Sequence, residues 1–146
     1  MIDWKAVFGS YINSGVYVIK PGPDVRIIKK AAFTLGLDYF YIDLKGIKSK
    51  ADFLKKVATV LNFPDYFGRN WDALGDCLMD LSWEPAAGYV LLFDNFHLFA
   101  GSDVADVKVV RHIFDSSVEY WKQKTVPFYI ILSENRSINQ SKNLTL

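Results

Sequence analysis

Residues 63–80 read FPDYFGRNWDALGDCLMD, which is the pattern of an aromatic turn followed by a short helix. Pro64 and Gly68 favour a loop. Asn70 is a good helix N-cap, because its side chain can accept a hydrogen bond from an amide of the first turn. The sequence therefore predicts a helix that begins at about Trp71.

The predicted helix has one apolar side and one acidic side. Its apolar positions follow the i, i+3, i+4, i+7 spacing of a buried stripe: Leu74, Cys77, Leu78 and Leu81. Four other residues are then expected on the opposite side: Asp72, Gly75, Asp76 and Met79. We expect the two aspartates to be exposed together on one surface.

This helix gives up local stability. Asp72, Asp76 and Asp80 are successive like charges at i, i+4, and each such pair costs a few tenths of a kcal/mol. Gly75 in mid-helix costs about 1 kcal/mol relative to alanine. Local costs of this kind are typical of functional sites. The alternative is a solvated helix face with a glycine that lets a neighbouring element pack close.

The same segment resembles the signature of the barstar family, intracellular inhibitors of bacterial ribonucleases. The shared pattern is a proline, an acid, two aromatics, Gly, any residue, Asn, a large apolar residue, Asp-Ala-Leu, any residue and Asp-Cys-Leu. The similarity extends, in the expected order, through residues 41–46, 49–61, 90–93 and 128–133. It covers roughly residues 37–133.

The resemblance implies that the acidic helix face and the preceding loop plug the active site of a cationic ribonuclease. Asp76 would occupy the place of an RNA phosphate, Asp72 would lie beside it, and Tyr66 would contribute an aromatic contact from the loop. Asn70 would cap the helix and Gly68 would make the turn. The expected partner-binding residues are Tyr66, Phe67, Gly68, Asn70, Trp71, Asp72, Gly75, Asp76, Met79 and Asp80.

The chain also departs from the barstar pattern. Gly75 stands where barstar carries a large aromatic that contacts the enzyme, and Trp71 stands where it carries a smaller aliphatic. A further carboxylate of the later barstar helix falls on Ser116, with Asp115 and Glu119 as substitutes nearby. These changes indicate a target surface different from that of barnase.

Charge is segregated along the chain, although the net charge is only +1. Residues 1–63 carry 10 basic and 5 acidic residues, residues 64–120 carry 3 and 10, and residues 121–146 carry 4 and 1. The middle segment is acidic and would steer a cationic partner. Direct binding of nucleic acid by this face is disfavoured, because its phosphates would be repelled.

The remaining composition indicates a cytoplasmic protein without a cofactor. The N-terminus leads into no sustained apolar segment, and no stretch approaches the ~18 apolar residues of a membrane-spanning helix. Cys77 is the only cysteine, which excludes an internal disulfide and favours a small core residue over a nucleophile. His97 and His112 lack companions at ligand spacing, so no metal site is predicted.

The order of elements predicts an α/β fold. Strands are expected at residues 15–19, 39–44, 90–93 and 127–132, and helices at 24–35 with Gly36 as C-cap, at 49–61 and at 104–121. Alternation of this kind favours a small barstar-like layer of parallel strands packed by helices, opened by a β-α-β unit. We expect an N-terminal strand-helix extension (1–36), a barstar-like domain (37–133) and a polar, frayed tail (134–146).

Three functions are compatible with these patterns. The first is a protein inhibitor, an immunity protein or antitoxin that blocks a cationic ribonuclease, either a bacterial toxin or a secreted nuclease. The second is a non-inhibitory interaction module with the same fold. The third is an enzyme that uses Asp72 and Asp76 as acid and base. The third is the weakest, because exposed carboxylates lack the apolar pocket that would separate their pKa values.

Overall fold

The computed structural model describes residues 2–20, 24–65, 67–100 and 104–134. Its helices are α1 (Trp4–Phe8), α2 (Val25–Thr34), α3 (Lys50–Val60), α4 (Trp71–Leu78), α5 (Phe96–Ala100) and α6 (Val104–Gln123). Its strands are β1 (Gly15–Ile19), β2 (Asp38–Asp43), β3 (Tyr89–Asp94) and β4 (Phe128–Ser133), and one 3-10 turn spans Tyr11–Asn13. The predicted strands and helices are all present, with bounds that differ by no more than two residues, except that α4 ends three residues before Leu81.

The four strands form one parallel sheet in the order β1-β4-β3-β2. Every residue of the two central strands, β3 and β4, is buried. Strands with both faces covered are typical of parallel sheets, because crossover helices lie on both sides. The α/β prediction with parallel strands is confirmed.

The predicted opening β-α-β unit is present in the order of elements, but its two strands are not neighbours in the sheet. β1 and β2 lie at opposite edges of the sheet, with β4 and β3 between them. β1 is hydrogen-bonded to β4, and two further hydrogen bonds join the ends of these strands. The Phe128 amide donates to Ser14 Oγ at 3.0 Å, and the Glu134 amide donates to the Ile19 carbonyl at 3.2 Å. The first strand therefore extends the sheet beyond β4.

Each face of the sheet has its own core. One cluster joins the sheet to α3, α4, α5 and α6, with Phe53 and Phe99 stacked at 4.5 Å between ring centroids. The other joins it to α1 and α2, with Phe8 and Tyr129 at 4.8 Å. Full burial of such side chains stabilises the fold by about 1.5–3 kcal/mol each. Helix α4 is thus held on the first of these faces.

Two short helices, α1 and α5, were not predicted. Each has five residues, which is too short to show helical periodicity.

Of the predicted tail 134–146, only Glu134 lies within the described residues, and its carboxylate forms an ion pair with Lys20 at 3.0 Å. Among the described residues, no helix is long and apolar enough to cross a membrane.

Candidate functional site: the α4 surface

Helix α4 begins where the sequence predicts. Asn70 has an extended backbone, and its Oδ1 accepts a hydrogen bond from the Ala73 amide at 2.8 Å. The turn before it is closed by the Phe67 amide, which donates to the Pro64 carbonyl at 3.0 Å. A capped start defines the direction in which the first turn of the helix projects its side chains.

The two sides of α4 separate as expected. The four residues of the apolar stripe are all buried: Leu74, Cys77, Leu78 and Leu81. Asp72 and Asp76 are exposed. The Trp121 indole donates to the Leu78 carbonyl at 2.8 Å, so α6 holds the last turn of α4. The prediction of buried leucines beside exposed aspartates is confirmed.

The end of α4 differs from the prediction. The helix stops at Leu78, with Met79 as C-cap, so Asp80 lies in the following turn rather than on the helix. The chain turns because Leu81, at φ +48°, enters the core. Left-handed backbone costs a non-glycine residue roughly 1–2 kcal/mol, which burial of the side chain offsets. Within the helix, only Asp72 and Asp76 form a like-charge i, i+4 pair.

Gly75 is also placed differently. It was expected on the exposed side, but it is buried against α6. A Cβ at this position would lie 3.8 Å from Ile113 Cγ2 and 3.9 Å from Met79 Cε, which are ordinary van der Waals contacts. The packing of α4 on α6 therefore leaves room for a Cβ at this position, and the close-packing explanation of Gly75 stays a prediction that Gly75→Ala tests.

A groove of about 430 Å³ runs between α4 and α6. Its lining is Trp71, Asp72, Gly75, Asp76, Met79, His112, Ile113 and Ser116. Sequence reasoning identified Ser116 but missed His112 and Ile113 as site residues. The spacing from His112 to Ser116 is i, i+4, which places both on one side of α6 and could have indicated a shared surface.

The aromatic residues of the expected site divide between surface and core. The Phe67 side chain is buried and packs edge-on against Phe63 at 4.9 Å, so its predicted contact with a partner is corrected to a core role. Trp71 is half-buried, 5.9 Å from the Phe53 ring, and Lys50 Nζ lies 5.3 Å from its ring centre. Tyr66 lies outside the described residues.

Four expected residues remain: Met79 lines the groove, whereas Gly68, Asn70 and Asp80 lie outside its lining. Gly68, Asn70 and Asp80 are exposed, and Met79 is half-buried. On α6, Asp115 and Glu119 are exposed but do not line the groove, whereas Ser116 does. Of the three α6 candidates, Ser116 is the one that the fold brings to α4.

The carboxylates of α4 are available for a partner. Across the described ranges, neither Asp72 nor Asp76 forms an ion pair with another described residue.

Cys77 lies on the buried side of α4. Burial, and then the charges of Asp80 and Asp76, raise the pKa of its thiol. A thiol that stays protonated is a poor nucleophile. The described residues contain no group of three potential metal ligands.

Comparison with known proteins addresses the family and the fold. A search of curated proteins finds no match. A solved structure of the Aeropyrum pernix ORC2 protein, in ADPNP-ADP complexes, matches with a TM-score of 0.56 and 15% sequence identity. The match covers 97% of this chain and 43% of the ORC2 chain, so this chain spans less than half of that protein's length. At this identity the likeness shows the fold alone.

The family is identified by the sequence. The model of the family described as Barstar (barnase inhibitor) matches residues 37–133. The match includes α4, the groove and strands β2 to β4, and it leaves out α1, β1 and α2. Because it covers more than half of the sequence, the chain belongs to the barstar family.

Proposed function

We propose that this protein is an intracellular inhibitor of a cationic ribonuclease and that it blocks the active site of the enzyme with the α4 surface. This surface is the exposed side of α4, which carries Asp72 and Asp76, together with the groove beside it. The observation that supports this most strongly is the pair Asp72 and Asp76. Both carboxylates are exposed, one helical turn apart, on the helix that carries the family motif. Neither is paired with another described residue.

The chemistry of a ribonuclease explains why carboxylates suit this role. An enzyme that cleaves a phosphodiester holds the phosphate with positively charged donors. A carboxylate presented at the same place forms charge-assisted hydrogen bonds with those donors but offers no bond to cleave. Asp76 lies in the middle of the α4 surface and is the proposed anchor, with Asp72 beside it.

The wider charge distribution supports the same partner. Residues 64–120 carry 10 acidic and 3 basic side chains, so their net charge is −7. An acidic field accelerates encounter with a cationic protein and is weakened by salt. Asp65 and Asp80 are exposed near α4, and we propose that they affect the association rate more than the lifetime of the complex.

The test is a titration of ribonuclease activity with the purified inhibitor. The enzymes are the small basic ribonucleases encoded in the same genome. We expect the wild type to inhibit one of them stoichiometrically and Asp76→Ala to weaken binding by about 2–5 kcal/mol, mostly through faster dissociation, because truncation leaves buried cations unpaired. Asp38→Ala is the control, since it removes a carboxylate at the start of β2.

Each result of this titration has a distinct meaning. Equal inhibition by the wild type and Asp76→Ala would remove Asp76 from the site. Loss of inhibition in the control Asp38→Ala as well as in Asp76→Ala would indicate a general effect of the protein's charge. If the wild type inhibits none of the encoded ribonucleases, the non-inhibitory interaction module becomes the better account of the chain.

A further inference from the structure

We propose that a pocket at the carboxyl ends of β1 and β4 binds a small organic phosphate, on a surface separate from α4. The pocket has a volume of about 390 Å³, and small-molecule sites usually span about 300–1,000 Å³. Its lining shares no described residue with the groove beside α4. The proposal can therefore be tested independently of ribonuclease inhibition.

The position of the pocket follows from the topology of the sheet. β4 lies between β1 and β3. The helix that follows β1, α2, packs on one face of the sheet, whereas the helices that follow β3, α5 and α6, pack on the other face. In open α/β sheets, ligands bind in the crevice that forms outside the carboxyl ends of the strands at such a switch point. In this sheet, that crevice lies at the end of β4.

Three parts of the chain meet at this crevice. The segment after β1 supplies Lys20, the end of β4 supplies Leu132 and Glu134, and α5 and α6 supply Phe96, His97 and Arg111. The family match covers residues 37–133, so Lys20 and Glu134 lie outside it. The pocket is thus built jointly by the barstar-like region and by the strand that precedes it in the chain.

Arg111 is the anchor for the phosphate. Its Nε atom is buried and has no hydrogen-bond partner among the described residues, and its guanidinium forms no ion pair with any of them. A buried donor without a partner costs roughly 1–3 kcal/mol, and more when the group is charged. A phosphate can accept two parallel hydrogen bonds from a guanidinium, so its binding would remove this cost.

The other charged groups leave the pocket positive. The Lys20 Nζ and a Glu134 carboxylate oxygen lie 3.0 Å apart and form an ion pair, so their charges cancel. Arg111 then adds a positive charge that no described residue balances. The Lys20 ammonium has three donors, and those that Glu134 does not use can reach a phosphate oxygen. The charge of the pocket therefore favours an anion.

The apolar part of the lining favours an anion with an organic group. Val18, Phe96 and Leu132 line the same pocket, and apolar walls with a few polar groups are typical of sites for organic ligands. An organic cation would be repelled by Arg111. A purely apolar ligand would leave the Arg111 Nε without a partner, which is unfavourable.

A binding experiment tests the pocket directly. Phenyl phosphate, at millimolar concentrations, is titrated into ¹⁵N-labelled protein, with phenol as the uncharged probe and benzoate as the carboxylate probe of the same ring. We expect saturable shifts of the Lys20, Phe96 and Leu132 amides, and at least about tenfold weaker binding of phenol, because the charged hydrogen bonds are lost. Benzoate should bind less tightly than phenyl phosphate, since a phosphate has more charge and more acceptor oxygens. Equal or tighter binding of phenol or benzoate, or shifts centred elsewhere, would overturn the proposal.

Variants of α6 and α5 assign the binding to these residues. Arg111→Gln removes the guanidinium, and Lys108→Gln, at an exposed position of the same helix, is the control with the same change in net charge. Ala100→Leu fills the pocket from α5 without removing a charge. Thermal unfolding confirms that each variant folds. We expect Arg111→Gln and Ala100→Leu to bind phenyl phosphate at least about tenfold more weakly than Lys108→Gln. Binding as tight as that of the control in both pocket variants would overturn the proposal.

Discussion

Helices α2 and α4 both bury one side and expose the other, but their ends are built differently. After α2, Gly36 adopts φ +71°; its amide donates to Phe33 and the Leu37 amide donates to Ala32, at 3.1 and 2.9 Å. This is the Schellman arrangement, which local sequence specifies. The turn after α4, residues 79–84, contains no glycine, and the chain turns at Leu81. The end of α4 therefore depends on tertiary packing.

The exposed sides of the two helices also differ in charge. α2 presents Arg26, Lys29 and Lys30, whereas α4 presents Asp72 and Asp76. The acidic helix is the one with a central glycine and a like-charge pair, so it has the lower local stability. The difference indicates that the fold stabilises α4 from outside the helix, which leaves its exposed side free to carry a binding surface.

The largest expected effect comes from emptying the core beneath each helix. Leu74 of α4 and Ile28 of α2 are both completely buried, and substitution by alanine should lower the free energy of unfolding by about 2–5 kcal/mol in each case. If α4 depends on packing, Leu74→Ala should also accelerate amide hydrogen exchange throughout α4. Ile28→Ala should leave local exchange in α2 closer to the wild type. Equal acceleration of amide exchange in α2 and α4 would contradict the idea that only α4 depends on packing.

Two glycine substitutions should have opposite signs. Gly75→Ala should raise the free energy of unfolding by about 0.5–1 kcal/mol, because alanine fits the space and favours the helix. Gly36→Ala should lower it by about 1 kcal/mol, because the left-handed backbone disfavours a side chain. Urea unfolding measures both. Destabilisation by Gly75→Ala would show that α4 and α6 need glycine between them.

The smallest expected effect is that of pH on the capping hydrogen bonds at the N-termini of α2 and α4. Asp24 caps α2, and its hydrogen bonds with Arg26 lower the pKa of its carboxyl group. A lowered pKa means that this cap contributes fully above the ordinary value of 3.8 and is lost as pH falls through the native pKa. Asn70, which caps α4, does not titrate.

Amide exchange across the acid range checks this difference. From pH 6 to pH 2.5, protection of the Arg26 amide should fall relative to that of the Ala73 amide, which Asn70 caps. Asp24→Asn should remove the difference by making both caps neutral amides. Parallel loss of protection at both helix starts in the wild type would indicate global acid unfolding instead.

Several parts of the α4 surface could be read from sequence because their causes are local. Asn70 as cap, the buried stripe that includes Leu74 and Leu78, and the exposure of Asp72 follow from the helical period and from capping chemistry. The same local signals predicted the strands and the longer helices. The helices α1 and α5, with five residues each, carry too few turns for such a signal.

Other parts of the site could not be predicted, because they depend on residues far apart in sequence. Spacing alone places Gly75 on the exposed side, but it is buried, and Ile113 Cγ2 of α6 lies 3.8 Å from where its Cβ would be. Phe67 belongs to an aromatic loop in sequence, yet it packs in the core against Phe63. Asp80 follows the helical period but lies beyond the helix end, because Leu81 turns inward.

By itself, the sequence determined the α/β class, the capped acidic helix and the resemblance to barstar, because periodicity, capping and motif spacing act over a few residues. Only the tertiary structure decided that β1 lies beside β4 and that α4 and α6 form a groove at Gly75. Strand order and helix contacts join segments tens of residues apart, and their energies depend on which buried surfaces fit together.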